Sequence, residues 1–198
     1  MTSTGVQERS GEAALSADAA LLSAIANGDQ AALKGFFVRH RAGVFRFIAR
    51  LSRNEAVAEE ITNEVFLEVW RNAHRYEGRS APTTWLLSIA RNRTISALRK
   101  RREESWDDAA AETLADEDDT PDVVSQKADK AKVLRACMAK LSAEHAEVID
   151  LVYYHEKSLS EVSTITGVAE ATVKTRLFYA RKKLSEICKQ SGVDRGWP

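Results

Sequence analysis

The chain has 198 residues, 44% of them hydrophobic and 29% charged, a balance that suits one or two small folded domains and excludes collagen-like and wholly disordered chains. Its 29 basic and 29 acidic residues cancel overall, yet dividing the chain where composition changes separates two basic blocks from an acidic connector. No apolar run approaches the ~18 residues of a membrane span, and the N-terminal stretch has no basic segment leading into an apolar one, which predicts a cytoplasmic chain without a secretory signal or membrane insertion.

Residues 1–20 are small and polar, with one Arg against three acids, and are expected to form a disordered tail. Residues 21–102 carry fifteen basic against seven acidic residues. Their apolar residues recur at three- and four-residue spacing, so this block reads as helices. Asp29 is placed to cap a helix over residues 30–52, in which Leu33, Phe36, Phe37, Val44, Phe45 and Ile48 supply a core face. A second helix over about residues 56–75 aligns Ala58, Ile61, Val65, Val69 and Ala73 in one stripe, widened by Phe66 and Trp70. Opposite that stripe, Glu60, Glu64 and Glu68 repeat every four residues, and Leu67 falls among them. A solvated face accounts for the acids; an apolar residue among carboxylates also suits a helix-in-groove contact with a partner.

After the loop YEGRSAP, a third helix begins near Thr83 and places Leu86, Leu87, Ala90, Ala97 and Leu98 on its apolar stripe. Its other side carries Trp85, Ser88, Asn92, Ser96, Arg99 and Lys100, and four consecutive cations end it at Arg102. The helix dipole favours cations at that end. Four in a row, beside amide, hydroxyl and aromatic groups, also form the footprint of a nucleic-acid surface. Trp85 suits either core packing or contact with a base.

The block 103–132 has eleven acidic against three basic residues, Pro121 and few large apolar side chains, too little to offset the entropy of ordering, and is expected to be a linker. Residues 133–198 carry ten basic against eight acidic residues. There Ser158 and Glu161 form a capping box for a short helix that stops at Gly167. A longer helix over about residues 170–187 turns Val173, Leu177, Ala180, Leu184 and Ile187 inward. Its opposite arc holds Ala171, Thr175, Phe178, Tyr179 and Lys182, with Lys174 and Arg181 on the flank. Short helix, glycine turn and longer helix with a basic outer face make a helix-turn-helix, whose Phe178 and Tyr179 are out of place for a core but suited to thymine methyls or sugars. The fold class is therefore all-α, with two helical domains joined by an acidic linker. His40, His74, His145 and His155 are scattered, and Cys137 and Cys188 have neither CxxC nor His-linked spacing. They read as packing or surface residues, so no catalytic residue, metal or cofactor is expected.

Taken together, residues 59–76 (EEITNEVFLEVWRNAHRY), residues 82–102 (PTTWLLSIARNRTISALRKRR), the acidic linker and residues 141–184 (LSAEHAEVIDLVYYHEKSLSEVSTITGVAEATVKTRLFYARKKL) resemble a bacterial extracytoplasmic-function (ECF) sigma factor. The resemblance covers about residues 20–103 and 133–188. It implies a sigma region 2 domain over 21–103, the linker over 104–132, a sigma region 4 domain over 133–190 and a C-terminal tail over 191–198. It further implies that Glu60, Asn63, Glu64 and Leu67 dock on the β′ clamp helices of core RNA polymerase, with the β subunit as a further partner. By the same resemblance, Tyr76, Arg79, Ser80, Trp85, Asn92, Arg93, Arg99 and Lys100 meet the −10 promoter element, where a flipped base is captured. Thr172, Lys174, Thr175, Arg176, Phe178, Tyr179, Arg181 and Lys182 meet the −35 element. Such proteins recruit polymerase to promoter DNA and help open it; they act on no small-molecule substrate. An anti-sigma factor, often held at the membrane, commonly restrains them, and active copies are found at the nucleoid.

Val57, Asn63 and Ser96 depart from the family's usual Asp, Gln and Asp. A competing reading is a stand-alone helix-turn-helix regulator that binds a palindrome without polymerase, with the first block as a dimerisation or ligand domain. The basic residues and aromatic loop of that block are poorly suited to a dimer seam.

Overall fold

Helix-forming signals read in the sequence reappear as physical caps and stripes in the computed structural model, which describes residues 4–107 and 126–190. The helices are α1 (Thr4–Ala26), α2 (Gln30–Ser52), α3 (Glu55–Asn72), α4 (Pro82–Asp107), α5 (Gln126–Ala139), α6 (Ala143–Ile149), α7 (Leu159–Thr166) and α8 (Glu170–Gln190). A 3-10 turn, Ala73–Arg75, extends α3, and a π turn, Asp150–Tyr154, extends α6. No strand occurs among the described residues, so the fold is all-α.

Asp29 caps α2 through Oδ1, which accepts from the backbone N–H groups of Ala31 and Ala32 at 2.8 and 3.1 Å. Asn54 does the same for α3 through Val57, and Ser142 for α6 through His145. Pro82 opens α4, where a missing N–H leaves nothing unpaired. The predicted stripe of α3 is wholly buried, and Phe36, Val44 and Ile48 of α2 meet it together with Phe47. Leu33, Phe37 and Phe45 lie half-buried at the margin. Phe36 and Phe37 both pack their ring edges on Phe66, at centroid distances of 6.4 and 4.8 Å.

The expectation of a disordered tail over residues 1–20 needs correction, because α1 runs from Thr4. Leu22 and Ile25 of α1 belong to the core. Asp18 is buried at 4% exposure and pairs with Arg39 and His40 of α2, at 2.5 and 2.9 Å. Small residues suggested disorder, but Ala and Leu are the strongest helix formers, and two buried anchors one turn apart dock the helix they make. The acidic connector is also shorter than the expected 104–132: α4 continues through residue 107 and α5 starts at 126. Its centre, residues 108–125, and the tail over 191–198 lie outside the described residues.

Two helical modules result, α1–α4 and α5–α8, and they pack on each other through α2 against α6 and α4 against α7. In the second module, Leu141, Val148, Ile149, Leu151, Val162, Ile165, Val173, Ala180, Leu184 and Ile187 form the core.

Candidate nucleic-acid interface

The capping box at the start of α7 is complete. Ser158 Oγ accepts from the Glu161 N–H at 3.2 Å, and the Ser158 N–H donates to Glu161 Oε2 at 3.0 Å. Gly167 ends α7 at φ +71°, a left-handed turn that swings the chain into α8. Val173, Ala180, Leu184 and Ile187 are buried, which turns the opposite face of α8 outward. On that face Phe178 and Tyr179 are 64% and 54% exposed and pack ring edge to ring face at 5.4 Å. Thr172, Lys174, Thr175, Arg181 and Lys182 are exposed beside them. Arg176 is the exception: half-buried, it pairs with Glu144 of α6 at 3.2 Å and ties α8 to its own module. The Arg181 guanidinium lies 5.8 Å from the ring centroid of Tyr153.

Of the second set, Tyr76, Arg79, Ser80 and Trp85 gather around the start of α4, whereas Asn92, Arg93, Arg99 and Lys100 follow about three to five turns along the helix. Tyr76 O–H donates to the Ser80 carbonyl at 2.7 Å, closing the loop before α4, and its ring packs 5.5 Å from that of Trp85. Burial holds the Tyr76 phenol above its usual pKa. Trp85 is half-buried against the core, so part of its ring serves packing. Arg79, Asn92, Arg93, Arg99 and Lys100 are exposed, and Arg79 pairs with Glu77.

The acidic ridge of α3 is exposed at Glu60, Asn63, Glu64 and Leu67, the last at 54%. Cations of α4 reach back to it: Arg101 pairs with Glu60 at 3.0 Å, and Arg93 with Glu68. Ion pairs this exposed contribute little, ~0–1 kcal/mol, and leave the ridge open to a competitor.

Sequence reasoning missed the seam between the modules. Arg91 Nε donates to Glu147 Oε1 at 2.6 Å, while Nη2 lies 3.4 Å from Oε2. Arg50 donates to Asp150, 2% exposed, and stacks 3.9 Å from the Tyr154 ring centroid. Arg53 reaches the Leu141 carbonyl at 2.9 Å. At the first turn of α4, Thr84 Oγ1 donates to Glu161 Oε1 at 2.6 Å, and buried Lys157 donates to both Thr83 Oγ1 and Glu161, at 2.6 and 3.1 Å. Burial alone would raise the Glu161 carboxyl, but hydrogen bonds from Thr84, the Ser158 backbone and Lys157, together with the Lys157 charge, hold it at about 2. His155 packs on Phe47 at 5.6 Å, and burial, reinforced by Arg50, Lys157 and Arg46, holds it at about 4. The Asp150 carboxylate, 3.6 Å from its Nε2, pulls the other way. The cations of this seam lie mainly on the first module and the acids on the second, so only the signs of the two faces were available to a sequence reading.

The helix-turn-helix and its accompanying helical module define a class of all-α transcription proteins. Residues 36–104 match Sigma-70 region 2, and residues 131–184 match Sigma-70 region 4. The ECF RNA polymerase sigma factor SigL of Mycobacterium tuberculosis is 32% identical over 177 residues, covering 89% of this chain and 99% of SigL. SigK of the same organism is 30% identical over 174 residues, covering 83% and 90%. Among solved structures, the sigma factor RpoE bound to the anti-sigma factor NepR, from Bartonella quintana, aligns with a TM-score of 0.65 at 27% identity, covering 82% of this chain and 98% of RpoE. The chain belongs to the ECF RNA polymerase sigma factors. These are transcription initiation factors rather than enzymes. Because both modules match in order, the stand-alone regulator is not favoured. Among the described residues, no helix is long and apolar enough to cross a membrane, and no cluster of three His, Cys, Asp or Glu could hold a metal.

Proposed function

We propose that this sigma factor docks on core RNA polymerase through Glu60, Asn63, Glu64 and Leu67 of α3. It reads a −10 element with the loop over residues 76–82 and the start of α4, and a −35 element with the exposed face of α8. The observation that carries this reading is the spatial separation of the two kinds of surface. Acids surround an exposed leucine on α3, whereas cations and paired aromatics occupy the outward face of α8. Phosphate contacts from Lys174, Arg181 and Lys182 set affinity and its salt dependence, and Phe178, Tyr179 and Thr175 contribute base and sugar contacts. The region 2 unit spans residues 21–103 and the region 4 unit 133–190, with the part of α1 before residue 21 as an N-terminal extension of the first.

The seam adds a control step. Because α7 lies on the first turn of α4, next to the loop assigned to the −10 element, the modules part before both promoter elements are read together. An anti-sigma factor of the kind bound to RpoE would act by holding or reshaping this closed form. The protein works in the cytoplasm, at the nucleoid when active and at the membrane only through such a partner.

Two variants test the division of labour. Leu67→Glu should weaken association with core polymerase at least tenfold by fluorescence anisotropy, without changing the melting temperature. Phe178→Ala with Tyr179→Ala should keep polymerase binding and lose cross-linking of α8 to −35 DNA. Equal effects of both changes on polymerase binding would contradict the assignment.

A further inference from the structure

Cys137 lies on α5 four residues after Val133 and four before Leu141, and Cys188 lies on α8 four residues after Leu184. Each thiol therefore falls on the stripe that its helix turns inward. Helix α5 packs on α8, so the stripes meet within one core cluster and bring the two thiols near each other, close enough for Cys137 to act on the Cys188 thiol. Cys137 is buried, while Cys188 is half-buried and keeps a side open to solvent. Neither thiol takes part in the interfaces described above. Apolar residues of similar size would pack equally well; what two neighbouring thiols add is the capacity for a two-electron oxidation.

We propose that Cys137 and Cys188 form a redox-modification site, at which a hydroperoxide closes a reversible intramolecular disulfide that staples α5 to the last turn of α8. Cys188, the accessible partner, attacks the peroxide as its thiolate: an S–O bond forms, the O–O bond breaks, and hydroxide leaves and takes up the proton that the thiol gave up. The buried Cys137 sulfur then attacks the sulfenic sulfur; the S–S bond forms, the S–O bond breaks, and water leaves with the Cys137 proton. Two thiols and one hydrogen peroxide thus give one disulfide and two waters. A dithiol reductant reverses the step by exchange, entering from the Cys188 side.

Burial, and then the neighbouring Cys137, push the Cys188 thiol up to about 11. The thiolate is the nucleophile and is scarce at neutral pH, so the site answers to strong or sustained oxidant and its rate climbs about tenfold per pH unit. The staple closes a loop between residues 51 positions apart and holds the far end of α8. Any effect on −35 reading rests on the role proposed for α8; the disulfide itself does not.

The 198-residue chain is treated with hydrogen peroxide at pH 7 and pH 9, alkylated with iodoacetamide, and analysed by non-reducing intact mass and peptide mapping. The expected product is a monomer with no alkylated thiol and one cross-linked peptide pair joining Cys137 to Cys188, restored by dithiothreitol. It should form about 100-fold faster at pH 9 and raise the thermal midpoint on the order of 10 °C. Cys188→Ser, at a half-exposed position, should keep the helical circular dichroism and give no cross-link. Two thiols that stay alkylatable, a Cys188 that stops at sulfinic acid, or a disulfide-linked dimer would each overturn the site. A disulfide that leaves the midpoint unchanged would overturn the staple. A failed promoter assay would leave all of these readings untouched.

Discussion

Replacing Arg91 by Ala is the sharpest test of the seam between the modules. The Glu147 side chain is 4% exposed and that of Arg91 21%, so the change strands a buried carboxylate that has lost a two-pronged guanidinium partner. Breaking a buried pair by removing one member costs ~3–5 kcal/mol, and because Arg91 is partly wet the lower figure, ~3 kcal/mol, applies. Opening the modules lets water reach Glu147 and relieves that cost. The closed-to-open ratio should therefore fall by about two orders of magnitude. Small-angle scattering reads the outcome directly: a compact chain of this length has a radius of gyration of about 16 Å, and parting two modules on a charged linker adds several ångströms. The double variant Arg91→Ala with Glu147→Gln should return most of the compactness, since no bare charge is left at the seam. An unchanged radius for Arg91→Ala, with unchanged amide-exchange protection in α7, would refute the reasoning.

Three further expectations follow from the same structure. His155, held at about 4 against an ordinary 6.5, binds a proton when freed that it does not bind in the seam. Closed-state stability is therefore full well above pH 6.5 and is lost as pH falls toward 4, by about 2 kcal/mol at pH 5; Glu161, held at about 2 against an ordinary 4.5, adds to the loss only below about pH 4.5. Scattering at pH 7.5 and 5 checks this, and His155→Gln should flatten the difference. Gly167→Ala places a Cβ in open space at φ +71°, so its cost is backbone strain alone, about 1 kcal/mol; thermal melting should show a drop of a few degrees. Asp18→Ala removes the carboxylate that holds Arg39 and His40, and should cost ~1–2 kcal/mol and open α1 to limited proteolysis.

What the sequence made legible is local. Asp29 at the head of α2, Ser158 with Glu161 at the head of α7, Gly167 at its end and the stripe from Ala58 to Val69 each depend on residues within one or two turns, and each stands where expected. The exposed Phe178 and Tyr179 were legible for the same reason, by contrast with the apolar arc of their own helix. Long-range pairings were not. Arg91 and Glu147 are 56 residues apart and Arg50 and Asp150 are 100, and no local signal marks one cation among fifteen as bound for a particular acid. Cys137 and Cys188 met only once α5 was laid on α8. Helix α1 was misjudged because composition was weighed above the helix propensity of Ala and Leu, and because its anchors, Leu22 and Ile25, acquire meaning only against the core they enter.

The most direct test of the whole account is run-off transcription from a promoter library by purified core polymerase, with and without this protein, followed by sequencing of the transcripts. New start sites that share two upstream elements at fixed spacing, and that disappear with Leu67→Glu, are the predicted result. No new starts with core polymerase, alongside tight polymerase-free binding of the chain to a palindrome, would contradict it.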